Sequence, residues 1–446
     1  MKTKRNLIQI CLLIAVLLPA VTSEAQPVTK ISGGGFHSLF VKSDGNLWAM
    51  GDNFFGQLGD GSSLNNKDIP EPIVAGNVTA IAGGGVHSLF LKNDGSLWAM
   101  GYNQYGELGD GTYNQANHPE PIVVSNITVI AAGSLHSLFL KSDGSLWTMG
   151  NNQYGQLGDG TTNNINQPQP IVAGNVTAIA GGYGHSLFLK SDGSLWAMGN
   201  NQDGQLGDGT YNNTNLPEMI VASNVTAIAA GFAHSLFLKS DGSLWTMGLN
   251  GYGELGDGTT NNINLPEPIV ASNVTAIAAG WYHSLFLKSD GSFWAMGNNQ
   301  YGELGDGTTN NTNRPEPIVA GGVTAITAGY YHSLFLKSDG SLWAMGDNQN
   351  GELGDGTLNN TNRPEEIVAG TPGYNQISGQ LLSGGNVGLS YMGIAGTNYE
   401  LDLSFSLSPV NWVPQVTNSA GAGGVLVFTN TPNRATNNFW RIRSVP

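Results

Sequence analysis

From Val28 onward the chain alternates short apolar runs with clusters of Gly, Asn, Asp and Ser. One stretch shows the pattern. Val78-Thr79-Ala80-Ile81-Ala82 is rich in β-branched residues, and Ser88 to Lys92 is a second apolar run. Asn93-Asp94-Gly95-Ser96 reads as a tight turn, because Asp-Gly tolerates the positive φ that a hairpin needs. Leu97-Trp98-Ala99-Met100 returns, and after a Gly/Asn-rich loop Pro119-Glu120-Pro121-Ile122-Val123 supplies a fourth run. Its prolines suit an edge strand, where a missing N–H costs little. No stretch carries the 3.6-residue period of a helix, so the pattern predicts short strands joined by tight turns.

The pattern recurs seven times. His37-Ser38-Leu39-Phe40 returns at His87, His136, His185, His234, His283 and His332, first after 50 residues and then every 49. Trp48, Trp98, Trp147, Trp196, Trp245, Trp294 and Trp343 keep the same register, as do the Gly-Asp-Gly triplets centred on Asp60, Asp110, Asp159, Asp208, Asp257, Asp306 and Asp355. Seven units of four strands predict an all-β, seven-bladed β-propeller over residues 28–370, four strands per blade. A solenoid would need atypical end units, and the first and last repeats are nearly ordinary; a closed ring needs no caps. The fourth strand of the last repeat, ending at Ile367-Val368, is expected beside the first repeat. Each blade should bury one Trp, one Phe and several Leu, and each histidine should hydrogen-bond the backbone of its own blade.

The flanks differ. Lys2, Lys4 and Arg5, the apolar run from Leu7 to Val21 and then Ser23-Glu24-Ala25 have the form of a signal peptide over residues 1–25. Its removal would take away the sole cysteine, Cys11, leaving a chain without disulfides. No second apolar run of that kind exists, so no membrane span is expected after cleavage. Residues 373–446 break the repeat. Tyr399-Glu400-Leu401-Asp402-Leu403, Val425-Leu426-Val427-Phe428-Thr429 and Phe439-Trp440-Arg441-Ile442-Arg443 read as strands of a small β-sandwich-like C-terminal module. With Asn411-Trp412, this segment resembles the small β modules that end many secreted proteins of environmental bacteria, which implies attachment or export.

Charge narrows the partners. The net charge of -15 would become -17 once three basic residues and Glu24 are cleaved away. An acidic chain repels phosphate backbones, and the basic residues are scattered through the repeats, so nucleic acid is excluded as a partner. Seven histidines in register invite a metal ring, but such a ring is too wide for one ion, which takes three or four close ligands. The Leu-Gly-Asp-Gly loops offer one firm carboxylate each and match no calcium-loop spacing; an Asp that fixes a turn explains them. Ser-Asp-Gly-Ser-Leu-Trp differs from the sialidase Asp-box in spacing. The Asn-Val-Thr and Asn-Ile-Thr triplets at Asn77, Asn126, Asn175, Asn224 and Asn273 mark the turn before each first strand, although they match glycosylation sequons. No nucleophile elbow, phosphate-binding loop or carboxylate pair unique to one repeat is present, so neither enzymatic activity nor a cofactor or metal is expected.

The succession Val-Thr-Ala-Ile-Ala-Ala-Gly, His-Ser-Leu-Phe-Leu-Lys, Asp-Gly, Leu-Trp, Met-Gly and Gly-Glu-Leu-Gly-Asp-Gly resembles the regulator-of-chromosome-condensation repeat, over about three-quarters of the chain. The resemblance implies a seven-bladed propeller that binds proteins through its loops. Members of that family include an exchange factor for a small GTPase, chromatin-bound proteins and a secreted bacterial inhibitor of β-lactamases. Together with the leader, it suggests a secreted bacterial member.

What varies between such similar repeats then points to the site. The two residues before each histidine run Gly35-Phe36, Gly85-Val86, Ser134-Leu135, Tyr183-Gly184, Phe232-Ala233, Trp281-Tyr282 and Tyr330-Tyr331. A second column runs Phe55, Tyr105, Tyr154, Asp203, Tyr252, Tyr301 and Asn350, with Asp52, Tyr102, Asn151, Asn200, Leu249, Asn298 and Asp347 three residues earlier. Exposed aromatic rings on loops are typical partner anchors. Phe36, Tyr105, Tyr154, Tyr183, Phe232, Tyr252, Trp281, Tyr282, Tyr301, Tyr330 and Tyr331 are therefore the candidate binding residues, richest in repeats six and seven; the bland reading is that they pack on neighbouring loops. The expected function is that of a monomeric, secreted or periplasmic scaffold for a protein partner. A lectin-like, glycan-binding propeller is the alternative, and an exchange-factor role is disfavoured by the leader.

Overall fold

The computed structural model describes residues 26–123 and 125–371 together with six further strands. The signal segment and the Asn411-Trp412 pair lie outside the described residues. Repeat one forms β1 (Val28–Gly33), β2 (His37–Lys42), β3 (Leu47–Gly51) and β4 (Lys67–Val74), an antiparallel sheet in that order. The other six repeats form the same sheet, giving the seven blades, and no helix occurs among the described residues. The fourth strand starts earlier than its prolines suggest, at Ala116 in blade two, and it is the free outer edge.

Turn chemistry explains the repeat's punctuation. Asp94 accepts hydrogen bonds from the Ser96 N–H and hydroxyl, and the Ser96 Oγ in turn accepts from Trp98 Nε1. Asn77, Asn126, Asn175, Asn224 and Asn273 adopt φ of 65 to 69°, the left-handed region that asparagine tolerates, just before each first strand.

Blades join face to face, and among the described residues blades one and seven each keep their own four strands. Val28, Phe40 and Met50 of blade one share a core with Leu334, Leu336, Leu342, Ala344 and Leu353 of blade seven, and Ile367 and Val368 pack against it. The Val28 N–H donates to the Gly340 carbonyl at 3.0 Å, as Val78 does to Gly45 between blades one and two. Closure thus repeats an ordinary junction. Deleting residues 28–31 removes this bond, Val28 and Ile31, and should lower the melting temperature; an unchanged value in a thermal melt would refute the role given to β1.

The tryptophan column is not the core. Each framework Trp is half-buried, with the Lys that ends the second strand lying 3.7 to 4.1 Å from its ring centroid. Trp196 pairs across the sheet with Phe188, and it is Phe188 that is fully buried. The C-terminal strands form two three-stranded sheets, Ile377–Leu381, Val387–Met392 and Val425–Asn430 in one, Val413–Ser419, Asn398–Ser404 and Phe439–Val445 in the other. Leu389, Leu426 and Phe428 of the first meet Tyr399 and Leu401 of the second in one buried cluster.

Candidate functional site

The strand register sets two unlike faces. His37 pairs with Gly51 at one end of the sheet and Val41 with Leu47 at the other. The loops around Gly35 and after Gly51 therefore emerge on one face, and the Asp-Gly turns on the opposite one.

Beneath the first face runs a ring of clips. Nε2 of His37 contacts Ser88 Oγ of the next blade at 2.8 Å, and the same pair recurs at every junction through His332 and Ser38. The histidines thus reach the neighbouring blade's serine, not their own blade's backbone. Each serine hydroxyl gives its single proton to a carbonyl of the preceding blade, as Ser88 does to Gln57 at 2.7 Å, so the imidazole must be the donor from Nε2. Its Nδ1 is buried without a partner in all seven. Burial pushes these imidazoles down to about 3 or 4. They stay neutral, packed against glycine: a Cβ at Gly84 would sit 2.3 Å from the His87 Cε1. His118 is exposed and pairs with Glu120.

The Gly-Asp-Gly aspartates are turn residues. Asp60 accepts from Asn53 Nδ2 at 3.0 Å and from the Ser62 N–H at 2.8 Å, and all seven aspartates accept from the backbone two residues on. Among the described residues no group of three or more His, Cys, Asp or Glu could hold a metal.

The variable pairs before the histidines divide in two. Their first members, Gly35, Gly85, Ser134, Tyr183, Phe232, Trp281 and Tyr330, line a cavity of about 160 Å³ on the propeller axis. Tyr330 reaches across the axis to hydrogen-bond Ser134, and a Cβ at Gly85 would collide with its hydroxyl. Small residues on blades one to three thus leave room for rings from blades four to seven. Phe232 stacks on Trp281 at 4.8 Å, and Tyr183 reaches both. The second members, Phe36, Tyr282 and Tyr331, lie farther from the axis. Tyr252 packs on Tyr282 at 4.9 Å, Tyr301 on Tyr331 at 5.2 Å, and Phe36 edge-on to Tyr330 at 5.3 Å.

Nine of the eleven candidates therefore form one contiguous patch spanning blades four to seven and blade one. All eleven residues are half-buried, packed on one another or on neighbouring loops. Tyr154 stands apart, over Gly184, and Tyr105 belongs to a second cluster with Tyr102 and Phe55. The sequence reading missed Phe54, which is 54% exposed and packs on Phe55. Its signal was present: Gln104, Gln153, Gln202, Gly251, Gln300 and Gln349 hold the same position in the other repeats.

Carboxyls underlie this face. Oε2 of Glu107, Glu254, Glu303 and Glu352 accepts the N–H of Tyr105, Tyr252, Tyr301 and Asn350. Burial pushes all four up to about 7, against the opposing pull of backbone N–H groups. Desolvation also raises Asp52, Asp203 and Asp347 above the usual carboxylate range.

Seven four-stranded blades, clipped in a ring and bearing an asymmetric loop face, define a β-propeller. A family model described as the RCC1-like domain matches residues 123–387, and RCC1 repeat models match residues 28–57 and 78–107, and 44–91 and 94–140. The chain belongs to the RCC1-like domain family. Human WBSCR16 is similar in structure, at 24% identity and a TM-score of 0.66, over 78% of this chain and 98% of that one. Yeast Prp20p, from Saccharomyces cerevisiae, whose structure was described with its binding properties to Gsp1p and histones, is 22% identical with a TM-score of 0.65, over 79% of this chain and 89% of its own. At these identities the likeness is one of fold. No curated protein matches the chain.

Proposed function

We propose that this protein is a secreted binding scaffold that engages a protein partner through the aromatic patch. The observation that carries the reading is the contiguity of nine rings contributed by five blades on a framework whose other positions hardly vary. The junction core does not include them: blades one and two share Leu39, Val41, Leu47, Phe90 and Met100 while carrying Gly35, Gly85 and Val86 where blades six and seven carry rings. Half-exposed, mutually braced rings lose little side-chain freedom on binding. The leader over residues 1–25 carries the chain out of the cell, and the C-terminal module, a small β-sandwich, serves attachment or export. The propeller contributes no catalysis.

The test is a pull-down from the native secretome with the parent and with Trp281→Ala/Tyr331→Ala as baits. Rigid anchors contribute about 2 kcal/mol or more each, so a true partner should bind the double variant at least about a hundredfold more weakly. An equal melting temperature for the two baits establishes that folding is intact. A partner that binds both alike would reduce the patch to loop packing, and saturable, sugar-specific binding on a glycan array would replace the protein reading with the lectin one.

A further inference from the structure

The two faces differ in charge as sharply as in aromatic content. The seven lysines that end the second strands, Lys42 through Lys337, all project at the Asp-Gly turn face, each near a turn aspartate. The fourteen loops of the aromatic face contain fourteen Asp and Glu and no Lys, Arg or His. Seven of these acids fix the Gly-Asp-Gly turns, and seven remain. The nearest cations stand on outer strands. Lys67 is held by Asp60 and Glu71, and Arg314 and Arg363 lie against Gly258 and Gly307 of the neighbouring blades' loops.

Four of these seven, Asp203, Glu254, Glu303 and Asp347, adjoin the patch. Asp203 occupies the column position that holds a ring in five of the other six blades, and its charge acts on Tyr282, as does that of Glu254. Glu303 lies close enough to act on Tyr331, and Asp347 acts on Glu303 and Glu352. Glu254 and Glu303 are wholly buried beneath Tyr252 and Tyr301, each with an Oε1 that has no hydrogen-bond partner. Flat, electron-rich ring faces edged by the half-buried Asp203, with Asp347 nearly buried beside Tyr331 and two further carboxyls beneath, fit a planar cation that stacks and donates hydrogen bonds together; an ammonium group matches only the charge.

Resting on the protein-binding reading above, we infer that the aromatic face docks a partner segment that presents arginine to the sector between Asp203 and Asp347. The guanidinium stacks on the tyrosines of blades five to seven, and the carboxyls at the edge of the patch accept from it.

A displayed random-peptide library, panned at low salt on the full chain, tests this. Arginine should be enriched, and a selected peptide made synthetically should bind Asp203→Asn/Asp347→Asn at least about tenfold more weakly, with affinity falling as salt screens the pair. These variants keep side-chain shape and the acceptor oxygens used by Asn262 and Gln349, so the fold should persist. Arginine peptides indifferent to both substitutions reflect general attraction to an acidic chain and overturn the inference. Neutral or acidic peptides that bind the parent but not Trp281→Ala/Tyr331→Ala overturn it too, while leaving the protein-docking reading standing. A library that yields nothing sensitive to either double variant overturns both.

Discussion

Between pH 6.5 and 4.5 the propeller should lose about 4 kcal/mol of stability per pH unit. The cause is the ring of seven buried imidazoles. Their folded values lie near 3 or 4, below the ordinary 6.5, so in this window the unfolded chain binds protons that the native ring refuses. Their contribution is complete above pH 6.5 and is lost as the pH falls toward the folded values. Four glutamates act in the opposite sense. Held at about 7 in the fold against an ordinary 4.5, they keep protons that the unfolded chain releases, so their contribution is complete below 4.5 and is lost as the pH rises through 7. Unfolding in the window takes up seven protons and releases four, a net uptake of about three, or about 1.4 kcal/mol per pH unit for each. Stability should peak near about pH 6.5, and below 4.5, where the glutamates no longer compensate, the fall should steepen. Urea unfolding at a series of pH values measures the slope. A stability that is flat or rising toward pH 4.5 would show that the imidazoles are not held neutral.

Phe188→Ala should destabilise the protein by about 3–5 kcal/mol, more than Trp196→Ala, although tryptophan is the larger side chain. Phe188 is wholly buried and fills the junction of blades three and four, against Leu138, Leu140, Leu146, Val176 and Met198. Its removal opens a cavity between two rigid sheets that cannot collapse into it. Trp196 lies at the margin of the same cluster, half-buried, stacked on Phe188 at 5.9 Å and covered by Lys190 at 3.9 Å from the ring centroid. Its truncation forfeits partial burial and one cation–π contact, about 2 kcal/mol together. Denaturant unfolding of both variants decides the order. Equal losses, or a larger one for Trp196, would place the tryptophan column in the core after all.

The family assignment leaves the partner open, because the residues that recur between blades carry the fold and are shared by every blade. The ring of clips illustrates this. His185 and Ser235 are needed at one junction, and the other six junctions use the same pair, so clip residues cannot distinguish one side of the propeller from another. Asymmetry must come from the loops, and there the rings gather on the side opposite Ser134, Gly35 and Gly85.

The amino-acid sequence by itself determined the blade. Strand order, Asp-Gly turns, the asparagine turns and the seven-fold count are all local or periodic, and local preferences repeat wherever the residues repeat. The eleven candidate rings were also legible, because deviation from a repeat can be seen without coordinates. Only the tertiary structure decided what lay between blades. That His37 reaches Ser88 depends on how two twisted sheets stack, a relation between residues 51 apart that no strand pattern encodes. That Tyr330 crosses the axis to Ser134, 196 residues away, depends on ring closure, which brings blades three and seven to opposite sides of a narrow channel. The same closure turned two sequence columns into an inner and an outer ring of side chains. The Phe, not the Trp, became the core residue because paired neighbours on one sheet face lie at different depths in the junction. Sequence periodicity reports which way a side chain points; depth is set by the neighbouring sheet against which it packs.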